Sequence, residues 1–295
     1  MPSVTTASFY LFLILALTIQ FLLPSPPAKM ASPNKPWADT PCKLVTTPQY
    51  ATKKTDIFST GATHMAHIHN AILRGFNSIY LQAPHVLDAD KAPFLGYALT
   101  WYRFVKSHHD DEEEELFPAV ARVLGDERVW RETHREHEAF LDGLAQYEDY
   151  LNSVSGTPSA FNGTQLQAIM ALFQEAFCTH FHSEISTIAA FAEHPSAPAP
   201  HSADAENAAA VFKAWGKKTV MKAGTLDVVP FFLLNLDAEY EDGLWADWPP
   251  MPRPVRWGLV NVGGSVHWSW WKFASCDASG KRRELYALGQ GESNK

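Results

Sequence analysis

The chain has 295 residues, 46% of them apolar, enough to fill the core of one large domain or two modest ones. Its 24 Lys and Arg residues are scattered among 32 Asp and Glu, a net charge of −8, which excludes a nucleic-acid partner because that needs clustered basic charge. Three widely spaced cysteines (Cys42, Cys178, Cys276) form no zinc ribbon, redox pair or disulfide framework, which places the chemistry elsewhere.

In chain order, the first feature is the apolar run from Phe9 to Leu23. It is short for a membrane span but suits the core of a signal peptide or a marginal anchor. No Lys or Arg precedes it, and Met30 offers a second start just downstream. Residues 1–29 therefore read in one of two ways. A real targeting segment implies a secretory or anchored protein with membrane association through residues 9–23. A gene-model extension implies a cytoplasmic one. Asn162-Gly163-Thr164 is a glycosylation acceptor only in the first case. Residues 30–56 form a polar, Pro-rich lead-in.

Four stretches then carry apolar residues at spacings of three and four, the pattern of amphipathic helices. They run from about 61 to 81, 92 to 124, 127 to 152 and 164 to 192. Pro118 should kink or interrupt the second near its end. Long helices with short breaks predict an all-α, up-down-up-down four-helix bundle over 57–194. A Pro/Ala/Ser-rich linker over 195–207 leads to an irregular, aromatic and Pro-rich extension over 208–295, rich in tryptophan, with a short helix near 208–218. Tryptophans interleaved with prolines can form a ligand platform, but an arm that packs on the bundle and buries its own apolar surface is the plainer expectation.

Each apolar stripe carries a histidine: His69, His108, His137 and His180 in order. Two of them stand four residues before a glutamate, as His108 with Glu112 and His180 with Glu184, so imidazole and carboxylate share one helix face. A single His on an apolar face is usually a satisfied core residue. Four of them, one per helix, with two paired glutamates, point instead to a buried metal site, because such groups are costly to bury otherwise. Mixed imidazole and carboxylate ligands favour dinuclear iron or manganese, with zinc open as well. His64 and His67 lie off the stripe, His109 with Glu113 points toward a more polar side, and the run Asp110 to Glu115 reads as a solvated face from which only Glu112 turns inward.

At these residues the sequence resembles the hemerythrin-like (HHE cation-binding) family. The resemblance rests on His69, on His108-His109-Asp110-Asp111-Glu112 continuing to Leu116-Phe117-Pro118, on His134-Arg135-Glu136-His137, and on His180-Phe181-His182-Ser183-Glu184. It covers about residues 57–193. The chain looks most like the fungal branch, whose members continue past the bundle; Trp248-Pro249-Pro250-Met251-Pro252 and Trp270-Trp271-Lys272-Phe273 carry that part. The resemblance implies that His69 and His108 hold one iron and His137 and His180 the other, bridged by Glu112 and Glu184. It implies a small ligand such as oxygen or peroxide.

One departure stands out. The family's third helix commonly supplies two histidines four residues apart, whereas Thr133 and Leu141 flank His137 at that spacing. His134 and Glu113 are the alternate ligands, and water is another. The expected function is a metal-binding protein that binds oxygen or a related ligand. A di-iron oxidase or peroxide-reducing enzyme, and a bundle whose site has decayed, are the alternatives.

Overall fold

The computed structural model describes residues 30–31 and 35–290. The apolar run at 9–23 lies outside them, and among the described residues no helix is long and apolar enough to cross a membrane. A short helix α1 (Pro48–Thr52) precedes α2 (Ile57–Gln82). Helix α2 starts earlier than the apolar spacing predicts because Asp56 caps it, its carboxylate accepting from the Phe58 and Ser59 amides at 3.0 and 2.9 Å.

Helix α3 (Lys91–Asp111) runs into a single π turn, Glu112–Leu116, and continues as α4 (Phe117–Leu124). Pro118 does not break the rod. It lacks an amide hydrogen, and the wide turn just before it relocates the backbone bonds that a regular helix would lose there. Gly125, at φ 63°, ends α4, and α5 (Arg131–Ser155) and α6 (Gly163–Ala190) complete the bundle. Gly163 is obligatory, because a Cβ there would lie 1.7 Å from the Ala83 carbonyl oxygen. Helix α2 packs beside α3 and α6, and α5 closes the square against α3 and α6. Trp101, Tyr147 and Phe177 fill the centre, with Trp101 5.0 Å from Tyr147 and 5.6 Å from Phe177 between ring centroids.

The extension packs on this bundle. Helix α7 (Ala203–Ala223) begins inside the stretch read as a linker, since Ser202 caps the Ala205 amide, and it runs past the expected end. It lies along α2 and α3, with Phe212 over Gly61 and with Lys218 and Lys222 paired to Glu115 and Asp111. The wholly buried α8 (Val228–Leu233) sets Phe231 4.8 Å from the Tyr97 ring. Helices α9 (Arg253–Asn261) and α10 (Tyr286–Gln290) follow. Between the bundle helices and this wrapping, α2 is buried on nearly every side.

The cysteine reading is corrected here. Cys42 and Cys178 form a disulfide at a sequence separation of 136, joining the lead-in to α6, and only Cys276 is free. Two asparagines on one face of α2 grip the same segment. Asn70 bonds the Val45 amide and carbonyl at 2.7 and 2.8 Å, and Asn77 bonds those of Cys42 at 2.9 and 2.8 Å.

Candidate metal centre

His69 on α2, His108 on α3, His137 on α5 and His180 on α6 all turn inward and are at most 2% exposed. They meet as two pairs. His69 and His108 bring their Nε2 atoms to 3.1 Å, and His137 and His180 do the same at 3.1 Å. Two imidazole nitrogens that face each other this closely can share one proton or one metal ion, not two protons.

Both glutamates lie between the pairs. Glu112 is 2.9 Å from Nε2 of His108 and 3.8 Å from Nε2 of His137. Glu184 is 3.3 Å from Nε2 of His69 and 3.6 Å from Nε2 of His180. Neither is more than 1% exposed. Both oxygens of Glu184, and Oε1 of Glu112, have no aligned hydrogen-bond donor. Buried carboxylate oxygens without donors are costly, and a cation between the imidazole pairs would satisfy them. Two ligand groups have metal-binding spacing here, His69–His108–Glu112 and Glu112–His137–His180, with Glu112 common to both. The donor set therefore fits two hard-to-borderline cations bridged by carboxylate.

Three of the four outer nitrogens are held too, and Nδ1 of His108 is buried without a partner. Nδ1 of His69 meets the Phe181 carbonyl at 2.9 Å, Nδ1 of His137 meets Glu113 at 2.6 Å, and Nδ1 of His180 meets Glu136 at 3.2 Å. Such contacts fix ring orientation and leave Nε2 free to ligate. Glu136 also accepts from Ser183 Oγ at 2.6 Å.

The charges respond to this crowding. Burial alone would depress the His69 imidazole, but Glu112 and Glu184 outweigh it and hold it at about 9. Burial opposes the Glu112 carboxylate as well, yet His108, His69 and His137 hold it below the usual range. Burial likewise works against His137, which its glutamate neighbours, Glu113 first, nonetheless raise, while burial prevails at His180 and lowers it.

The sequence reading of Glu113 as part of a solvated face is corrected. The π turn advances fewer degrees per residue than an α-helix, so Glu113 stays close to the interior and reaches His137. His134 does not join the imidazole pairs; it is exposed and binds Glu113 at 2.9 Å. His109 was missed as a neighbour. Its ring is 4.3 Å from that of His137, and with Glu113 and His137 it makes a third group of ligand spacing, on the outer side of that imidazole. Burial, with His137 beside it, pushes His109 down to about 4. Leu141 is half-buried against the apolar core and Thr133 is buried, so neither supplies the second histidine of α5.

The family model described as hemerythrin HHE cation binding domain matches residues 60–192. The dimeric xanthone biosynthesis cluster protein R11 of Cryptosporiopsis sp. (strain 8999) is 30% identical over 270 residues, spanning 88% of this chain and 97% of that protein. That span includes the extension as well as the bundle. No solved structure matches the chain.

Proposed function

The chain belongs to the hemerythrin HHE cation-binding domain family, and from that premise we propose that it holds two iron ions and binds oxygen or a related small ligand at them. The observation that carries this reading is the placement of Glu112 and Glu184 between the two imidazole pairs, with both oxygens of Glu184 and one of Glu112 buried without an aligned donor. His69 and His108 would hold one ion, His137 and His180 the other. Iron in such a site supplies reversible electron transfer and a Lewis-acid position for a small ligand. The protein's own part is to orient the imidazoles through Phe181, Glu113 and Glu136 and to keep water out with aromatic walls. Phe181 and Trp215 supply such walls, their rings 6.2 and 5.7 Å from His108.

A second reading, an oxidase or peroxide-reducing enzyme, is favoured by one observation. Leu141 and Thr133 leave the His137 side a protein ligand short of the usual family set, and an open position is what oxygen or peroxide activation uses. The similar protein's name places it in a biosynthetic cluster, which accords with turnover of a substrate.

Metal analysis together with the visible spectrum separates these readings. About two irons per chain and charge-transfer bands that respond reversibly to oxygen support ligand binding. Steady consumption of peroxide with a reductant supports the enzyme. Zinc alone, or no metal after reconstitution, sinks both.

A further inference from the structure

Three of the four inward imidazoles have their outer nitrogen bonded within the bundle, and His108 does not. Its Nδ1 is not the only buried polar atom on that side without a hydrogen-bond partner. Oδ2 of Asp111, Nε1 of Trp215 and Oγ1 of Thr219 are in the same condition, and all four residues are buried. The helices bring these atoms together. Asp111 follows His108 by three residues on α3, which makes the two side chains neighbours on one helix surface. Helix α7 of the extension lies along α3 and sets the Trp215 ring 5.7 Å from the His108 ring. Further along α7, Nζ of Lys222 bonds Oδ1 of Asp111 at 2.5 Å. Thr219 stands between those two contacts, four residues after Trp215 and three before Lys222, on the buried side of α7.

A native fold ordinarily satisfies its buried polar atoms, so four at one helix contact point to a partner they share. Their chemistry says what it is. With Nε2 given to a metal ion, His108 carries its proton on Nδ1 and donates, as the Trp215 indole does, whereas the carboxylate and hydroxyl oxygens accept. Two N–H donors oppose a cation there, and the Asp111 carboxylate opposes an anion. The partner is therefore neutral, with two acceptor and two donor positions. One water molecule meets that description. It accepts from Nδ1 and Nε1 and donates to Oδ2 and Oγ1, the complete set of bonds for an ordered buried water. Lys222 holds the carboxylate by its other oxygen and so fixes where Oδ2 stands.

We propose that α7 completes the metal centre from outside the bundle: Trp215 and Thr219 hold a water that ties Nδ1 of His108 to Asp111. Asp111 is then the outer carboxylate of His108, as Glu113 is of His137 and Glu136 of His180. Asp111, Trp215 and Thr219 are positioning residues, because they reach the metal only through the imidazole. The inference rests on the reading of His108 as a metal ligand, and it makes the extension a working part of the site on the His69–His108 side.

The test compares Thr219→Val, which loses the hydroxyl and keeps the bulk, with Thr219→Ser, which keeps the hydroxyl, each in the full chain. Ferrous iron is titrated without air against a competing chelator. Thr219→Val should weaken one of the two ions by about tenfold, the lower end of what an outer partner of a ligand contributes, and Thr219→Ser should hold iron as the parent does. A second readout needs no metal. In the metal-free, nitrogen-15-labelled chain the Trp215 indole resonance, assigned by its loss in Trp215→Phe, should move in Thr219→Val and much less in Thr219→Ser, because indole and hydroxyl share the water. Parent-like iron affinity in Thr219→Val, an equal loss in Thr219→Ser, or an indole resonance that Thr219→Val leaves in place would overturn the proposal. A parent chain that takes up no iron sinks the metal reading alone, and the indole resonance then decides whether the water link exists.

Discussion

Glu113 holds Nδ1 of His137 at 2.6 Å, while Nε2 of the same ring faces His180 at 3.1 Å. The carboxylate therefore orients an imidazole whose other nitrogen is aimed at the centre of the bundle. Replacing it by Gln should leave the fold intact and weaken metal on the His137 side by about 10–100-fold. Chelator competition measures this; an unchanged affinity would mean that Glu113 serves only the surface.

Glu112 belongs to both ligand groups, whereas His69 belongs to one. Glu112→Ala should therefore strip both ions from the chain, and His69→Ala should strip one. Metal counted per folded chain decides the matter. Equal losses in the two variants would contradict a shared carboxylate.

The metal-free protein should lose stability on the alkaline side. The His69 imidazole, ordinarily near 6.5, is held at about 9 in the folded chain by Glu112 and Glu184. A raised imidazole stabilises fully below 6.5, and that stabilisation is lost as pH climbs through 9. Urea midpoints of metal-free protein should fall across this window. His69→Gln should flatten the trend, and bound metal should remove it by displacing the proton. A flat profile in the metal-free parent would refute the charge assignment.

The disulfide gives a fourth expectation. Linking Cys42 to Cys178 closes a long loop, so reduction should cost about 2–5 kcal/mol and lower the melting temperature. Thiol counting should find none reactive in the native state. Cys276 is buried and its thiol is pushed up to about 12, so it should appear only on unfolding. A reactive thiol in the unreduced native protein would contradict the pairing.

Legibility from sequence followed the distance over which a feature acts. The His108–Glu112 and His180–Glu184 pairs are local, one helix turn apart, and the structure turns all four side chains inward. The π turn was hidden, because its signal is one unpaired backbone bond near Pro118 and apolar spacing does not register it. That hid the inward turn of Glu113, which the sequence offers only as an alternate ligand. His67 lies off the stripe that faces the bundle, yet it is buried, because the extension covers the opposite face of α2 and apolar periodicity reports only one covered face. The Cys42–Cys178 pairing needed the lead-in to be laid along α2 by Asn70 and Asn77, a contact between segments that no spacing records.

Helix α2, enclosed by bundle, lead-in and extension alike, has a consequence for how the gene tolerates change. Gly75 sits so close to Trp101 and Phe231 that a Cβ would come within 2.6 Å of each, and Gly61 is similarly pressed by Phe212. Whereas α5 keeps a solvent side on which substitutions can accumulate with a helical rhythm, α2 has almost none. A saturation scan would draw α2 as an unbroken band of intolerance, and chance variation would reach this protein's surface through every other long helix before it reached that one.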